Sequence, residues 1–279
     1  MPFKTIVAII QGHDDAERVL DCVISFAERF DSHVIGVHAE ALPVAYTSAV
    51  GFPDTEFIQI SSEANKERAK SLADLFASRM NAAHRKFEWR SHECYSGDSA
   101  HSGIASARCA DLVIAAQRDP NAEPTATADI DSLLFESGRP VLVVPHAGPS
   151  RSSYRRVVIA WNGSREAARA AFDALPMITR ADHAEVFVID PPDDVDQNTE
   201  ASGAEIAAAL ARHGAKVTVT GKASGGRSVD QLLQEQVVAT GADLLVLGAY
   251  SHSWLRQLLF GGVTRTVLQS MPIATFISR

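Results

Sequence analysis

The chain is poor in several features that would each mark a class of protein. It has only three cysteines, Cys22, Cys94 and Cys109, in 279 residues. The number is odd and no CxxC pair occurs, which argues against a disulfide framework and for a reducing compartment. Positive charge is not in excess: 26 Lys and Arg against 34 Asp and Glu leave a net charge of −8 and a pI near 5.7. Nucleic acid and anionic membrane both demand a basic face, so neither is expected as a partner. No apolar run approaches the roughly 18 residues of a membrane span, and Ile6 to Ile10 is too short for a signal peptide; a cytoplasmic protein is expected. GxGxxG, GxSxG and HExxH are absent, and "VTGKASGGRS" (219–228) lacks the spacing of a P-loop.

What is present is an ordinary globular mix, 46% apolar and 22% charged, and an internal repeat. "ARCADLVIAA" (107–116) echoes "ATGADLLVLG" (239–248), with Asp111 and Asp243 offset by 243 − 111 = 132. Pro140 in "RPVLVVP" and Pro272 in "MPIATFI" keep that offset. "IVAIIQG" (6–12) resembles "VVIAWNG" (157–163), and Gly12 and Gly163, like Val37 and Val188, are offset by 163 − 12 = 151. The fall from 151 to 132 places about nineteen extra residues in the first copy, with 41–60 as the expected insertion. "PHAGPSRSSYR" (145–155) reads as a linker. Two related domains follow, 1–147 and 154–279.

Each copy alternates short apolar runs with helical patterns, which predicts an α/β fold of two tandem doubly wound parallel-sheet domains. Strands are expected at 6–10, 34–37, 87–92, 112–115 and 141–144, then at 157–161, 186–189, 216–220, 244–247 and 273–277. The continuous apolar character of most of these runs means helices on both faces. A helix is expected over 165–175, capped by Ser164 and ended by Pro176. In such sheets ligands bind beyond the carboxyl ends of the strands, where the order reverses. Gly248 ends a strand there, 254–260 reads as a short helix, and Gly261 and Gly262 open a second one with Thr264 in its first turn. A helix N-terminus with bare glycines lets a phosphate approach the main chain; the same pair also reads as a C-cap between two helices.

The two-copy layout, "AWNGS", "VID", "GADLLVLGAY" and "GGVTRTVL" together resemble a tandem universal stress protein over nearly the whole chain. The resemblance implies a Rossmann-like, adenine nucleotide alpha hydrolase-like fold. It also implies an ATP-binding pattern of G-x-x-G, nine residues, then G-[ST]. On copy two Gly248 and Gly261 match, whereas Ser251 and Gly262 depart from the pattern, and Asn162 stands where the family has an acid that meets ribose. The likeness further implies that the backbone around Val188 holds adenine, with Ala160, Trp161, Leu247 and Tyr250 as walls and Val263 beside the phosphate glycines. The expected ligand is ATP, AMP or ADP, with or without magnesium, and the expected role is a sensor or regulatory module that meets an unknown protein partner.

In copy one Ala116, Asp119, Asp129 and Ile130 take the corresponding places, so negative charge stands where phosphate would lie and the site is read as degenerate. Family members dimerise through the last strand; a tandem chain can make that contact internally, between 141–145 and 273–277, and a homodimer stays open. His92, Cys94 and His101 are near in sequence but do not make a compact metal site; His252, Arg256 and Arg265 could reach or steer phosphate, but read first as solvated surface residues. No catalytic residues are assigned. The competing readings are a nucleotide-free scaffold, a weak ATPase, and a different small or apolar ligand in copy one.

Overall fold

Runs of Val, Ile, Leu and Ala too short for helices and apolar on both faces become buried strands, and the amphipathic stretches between them become the covering helices. The computed structural model describes residues 3–43, 55–118, 128–147, 153–191, 203–249 and 271–279. The first half holds β1 (Thr5–Ile9), α1 (His13–Phe30), β2 (His33–Ala41), α2 (Thr55–Ala82), β3 (Phe87–Cys94), α3 (Ser99–Ala107), β4 (Leu112–Ala116), α4 (Ile130–Glu136) and β5 (Val141–Val144). The second half holds β6 (Arg156–Trp161), α5 (Arg165–Asp173), α6 (Leu175–Ile178), β7 (His183–Ile189), α7 (Ala204–Arg212), β8 (Val217–Lys222), α8 (Val229–Thr240), β9 (Leu244–Gly248) and β10 (Ala274–Ser278).

The expected α/β class is what forms. Ten strands make one sheet in the order β3-β2-β1-β4-β5-β10-β9-β6-β7-β8. Every pairing is parallel except that of β5 with β10, which is antiparallel, with Val143 opposite Thr275 and Leu142 opposite Phe276. Each half is doubly wound about its first strand. One face is covered by α1, α2, α5, α6 and α7 through residues such as Val19, Phe76, Ala170, Met177 and Leu210. The other is covered by α3 and α4 over the first half and by α8 over the second. Tyr154, before β6, is buried against Phe26 of α1, so the linker's end is anchored in the core.

The repeated aspartates are structural. Asp111 accepts the backbone N–H groups of Lys4 and Thr5, at 2.7 and 2.9 Å. Asp243 accepts those of Arg155 and Arg156, at 3.0 and 2.9 Å. Each ties the start of its half's first strand to the strand beside it and satisfies amides that the ladder leaves open.

Register corrects the repeat. Ile6 and Val157 lie opposite Val34 and Ala184, so the second strands are offset by 184 − 34 = 150, not 151. Val188 therefore corresponds to His38, and Val37 to Phe187. The physical reason is the alternation of side chains along a strand, by which a one-residue slip exchanges faces: Val37 packs under α3 and Val188 on the opposite side. The last strands are offset by 275 − 141 = 134, since Val141 and Thr275 lie opposite Val113 and Leu245. The third strands are offset by 217 − 87 = 130. The extra length of the first half lies between β2 and β3, where α2 has 28 residues and α7 has nine. Only part of the expected insertion falls on described residues, 41–43 and 55–60.

Ser164 caps α5, its Oγ accepting the N–H of Ala167 at 3.2 Å. Pro176 does not end the helical run as expected: α5 stops at Asp173 and Pro176 lies in the first turn of α6. The first turn needs no proline N–H, so the ring is tolerated there.

Candidate functional site

In the second half the chain order reverses between β6 and β9, the strands that flank the position expected to take a ligand. Their ladder runs from Val157–Leu244 to Ile159–Val246 and ends there. Both strands continue outward for two residues, β6 against β7 to Trp161–Val188 and β9 against β10 to Gly248–Ser278. β6 and β9 thus part at their carboxyl ends. Ala160 and Leu247, on either side of the parting, are half-buried. Both lie on the α8 side of the sheet, beside Ile189.

Gly248, the next residue of β9, faces the opposite side of the sheet, toward α5. A Cβ there would stand 2.4 Å from the Ala167 N, 2.4 Å from the Glu166 carbonyl carbon and 2.7 Å from the Glu166 O. β9 therefore runs flush against the first turn of α5, and only glycine fits. Asn162 turns the chain from β6 into α5: its Oδ1 accepts the Ser164 N–H at 3.1 Å and the Ser164 Oγ–H at 2.7 Å. Its side chain is exposed at the crevice rim.

Trp161 does not share a side with Ala160 and Leu247. Adjacent strand residues point to opposite faces, and Trp161 is buried in the apolar layer with Val186 and Val188. Val188 is a ladder partner of both Trp161 and Gly221, and its side chain packs beneath Gly203. Tyr250, Ser251, Gly261, Gly262, Val263 and Thr264 lie outside the described residues, as do Asp119, His252, Arg256, Arg265 and the helix expected at 254–260.

Ile189 and Asp190, the end of "VID", read from the sequence as part of the strand and its close but not as site residues. Ile189 joins Ala160 and Leu247, a placement that strict alternation from Phe187 would have signalled. Asp190 follows β7 in the left-handed region, φ 51°, which few non-glycine residues adopt. Its N–H donates to the Lys222 O at 2.9 Å and its Oδ1 accepts the Ser224 N–H at 2.7 Å. The Ser224 backbone bond, with that of its hydroxyl, holds the exposed Asp190 carboxyl below the ordinary carboxylate value.

The same edge of the first half is closed by its own side chains. The β1–β4 ladder reaches Ile9–Ala115, one pair further than its counterpart, and both residues are fully buried. Gln11, the counterpart of Asn162, donates from Nε2 to the Gly97 O at 2.7 Å and accepts the Ser99 N–H at Oε1 at 2.9 Å. Ser99 Oγ donates to the Ile10 O at 3.1 Å and accepts the Ala39 N–H at 2.9 Å. His38, where the second half has Val188, is buried between the Ile10 O at 2.9 Å and Glu40 at 3.1 Å. Arg68 clamps Glu40 through two bonds of 2.8 and 2.7 Å. Asp129 caps α4, accepting the Ser132 N–H and hydroxyl, and Ile130 is buried in the core.

Cys94 Sγ meets the hydroxyls of Ser96 and Ser102, each at 3.6 Å. Among the described residues no group of three or more His, Cys, Asp or Glu is placed to hold a metal ion, and no helix is long and apolar enough to cross a membrane.

In sequence, residues 153–279 match the Universal stress protein family. No curated protein matches the chain. In structure, the chain is similar to a universal stress protein from Archaeoglobus fulgidus DSM 4304, with a TM-score of 0.70 at 14% identity over 98% of this chain and 96% of that one. It is similar also to a functionally unknown protein from Pseudomonas aeruginosa PAO1, with a TM-score of 0.61 at 16% identity over 99% and 92% of the two chains. The C-terminal half thus carries a Universal stress protein family domain, in a chain whose fold as a whole is shared with a solved universal stress protein.

Proposed function

We propose that the chain consists of two universal stress protein domains, 1–147 and 154–279, and that the second binds ATP, AMP or ADP as a sensor. Occupancy then adjusts how the protein meets a partner. The observation that carries this reading is the parting of β6 and β9 beyond Ile159–Val246, which opens a crevice at the strand-order reversal. Ala160, Leu247 and Ile189 give it apolar walls for a base, and Asn162 offers an amide to a hydroxyl. Gly261, Gly262 and Thr264 are assigned to the phosphates from the sequence pattern. The first domain is assigned no nucleotide, because Gln11, Ser99 and His38 already bridge the corresponding edge.

The test is to denature freshly purified full-length protein, identify released nucleotides by mass, and repeat with Gly261→Asp, which sets a carboxylate where phosphate is assigned. Near-stoichiometric adenine nucleotide from the wild type and none from the variant is the expected result. If neither protein carries or takes up nucleotide, the binding reading is wrong and the scaffold reading replaces it. Magnesium-dependent turnover that is lost on changing Asn162 or Thr264 would instead make the protein a weak ATPase.

A further inference from the structure

Gln117 and Ala249 hold equivalent positions, each one residue past the fourth strand of its half, β4 or β9, offset by 249 − 117 = 132 as are Leu112 and Leu244. Their backbones do the same thing: the Gln117 N–H donates to the Val144 O at 2.7 Å and the Ala249 N–H to the Ser278 O at 2.8 Å. Their side chains do not. Ala249 is fully buried in the first half's apolar layer with Ile277. Gln117, 3% exposed, reaches into the second half, where its Nε2 donates to the Met271 O at 3.2 Å. Its Oε1 accepts the His146 N–H at 3.1 Å and faces the His146 Nδ1 at 2.9 Å. A backbone N–H only donates and a carbonyl only accepts, so the amide has a single orientation and the His146 Nδ1 must carry its proton.

Ala249 and Met271 bracket residues 250–270, the segment to which the sequence pattern assigns the phosphate contacts. Both flanking points are held by the first half, one by apolar packing and one by a buried polar tie that runs in one direction only. We propose that Gln117 is a positioning residue for nucleotide binding by the second half: through its amide the first half fixes the backbone at Met271 and so sets the affinity of its neighbour. This rests on the nucleotide reading above. It also gives the nucleotide-free half a job that a mere packing partner would not have.

The test uses full-length wild type, Gln117→Leu and Gln117→Glu, with ATP titrated by calorimetry and backbone hydrogen exchange followed over 244–249 and 271–279. Leucine fills the space and leaves the Met271 O and the His146 donors unpaired, so ATP should bind about tenfold more weakly and 271–279 should exchange faster. Glutamate should bind as weakly at pH 8 and recover toward wild type at pH 5, because only the protonated carboxyl can donate to the Met271 O; leucine should show no such recovery. That contrast separates positioning from general destabilisation. Wild-type ATP affinity in both variants, or unchanged exchange over 271–279, would overturn the proposal while the nucleotide reading stands. Failure of the wild type itself to take up ATP or AMP would sink the nucleotide reading, and the proposal with it.

Discussion

Replacing Gly248 with alanine sets a methyl group between two backbones. Its Cβ would lie 2.4 Å from both the Ala167 N and the Glu166 carbonyl carbon, where ordinary contact needs at least 3.4 Å. Relief demands a shift of about 1 Å between β9 and α5, and neither is free to give. β9 is held by its ladder to β10 through Gly248–Ser278, and α5 by the Ser164 cap and by Ala170 and Ala171, which are buried in the core. Overpacking costs about 1–3 kcal/mol, and two backbone neighbours put this case at the upper end, about 3 kcal/mol. For a chain of this size that lowers Tm by about 6–12 °C.

Thermal and urea unfolding followed by circular dichroism measure it, with Gly103→Ala as the comparison. The Cβ of that variant meets the Ile9 Cδ1 at 2.6 Å, the far end of a side chain that can turn, and its next neighbour is 3.6 Å away. Alanine in place of glycine inside α3 also gains about 1 kcal/mol of helix propensity, so the net change should stay within about 1 kcal/mol. A Gly248→Ala protein within about 0.5 kcal/mol of wild type would show that β9 and α5 are not in this contact. The steric role also decides how the glycine bears on function. Loss of nucleotide in Gly248→Ala would not separate phosphate approach from packing, whereas Gly261→Asp makes that distinction by charge.

Two further outcomes follow from buried polar groups. Burial pushes the Glu40 carboxyl up, but the bonds from His38 and Arg68 outweigh it and hold the group below its ordinary 4.5. A depressed carboxyl contributes stability that is present above the unfolded value and lost as pH falls through the folded one. Acid unfolding should therefore steepen below about pH 4.5, and Glu40→Gln should flatten that decline while costing on the order of 1–3 kcal/mol at pH 7; an unchanged acid limb in urea midpoints taken across pH would refute it. Burial pushes the Cys22 thiol up to about 12, and the thiol is enclosed beside the Tyr154 hydroxyl. Burial raises the Cys94 thiol too, yet the hydroxyls of Ser102 and Ser96 and nearby backbone N–H groups bring it below the ordinary value. Iodoacetamide at pH 8 should label Cys94 ahead of exposed Cys109 and leave Cys22 until the chain unfolds. Native labelling of Cys22 at the rate of Cys109, read by peptide mass, would contradict the buried placement.

All ten strands were expected from the sequence, eight of them as apolar runs because a strand covered on both faces needs little else, and the same feature hid their register; the edge strands β3 and β8 are partly exposed and mix polar with apolar residues. Val37 and Val188 look equivalent in sequence, but where both faces are apolar no alternation marks which residue points which way. Only the ladders show that Val188 answers to His38. α2 escaped for a related reason: none of residues 56–71 is buried, so no apolar period betrays a helix there. The candidate site was read from glycines, and Gly248 turned out to owe its identity to α5, whereas the crevice itself arises from two strands parting, which no local motif encodes. What separates the halves chemically is also nonlocal. Gln11 reaches Gly97 and Ser99 across 86 and 88 residues of chain, and Gln117 reaches Met271 across 154. Two glutamines, unremarkable in sequence, thus stand at two of the points where the halves differ: one ties the first half's edge to its own chain, and the other ties that half to the backbone at Met271.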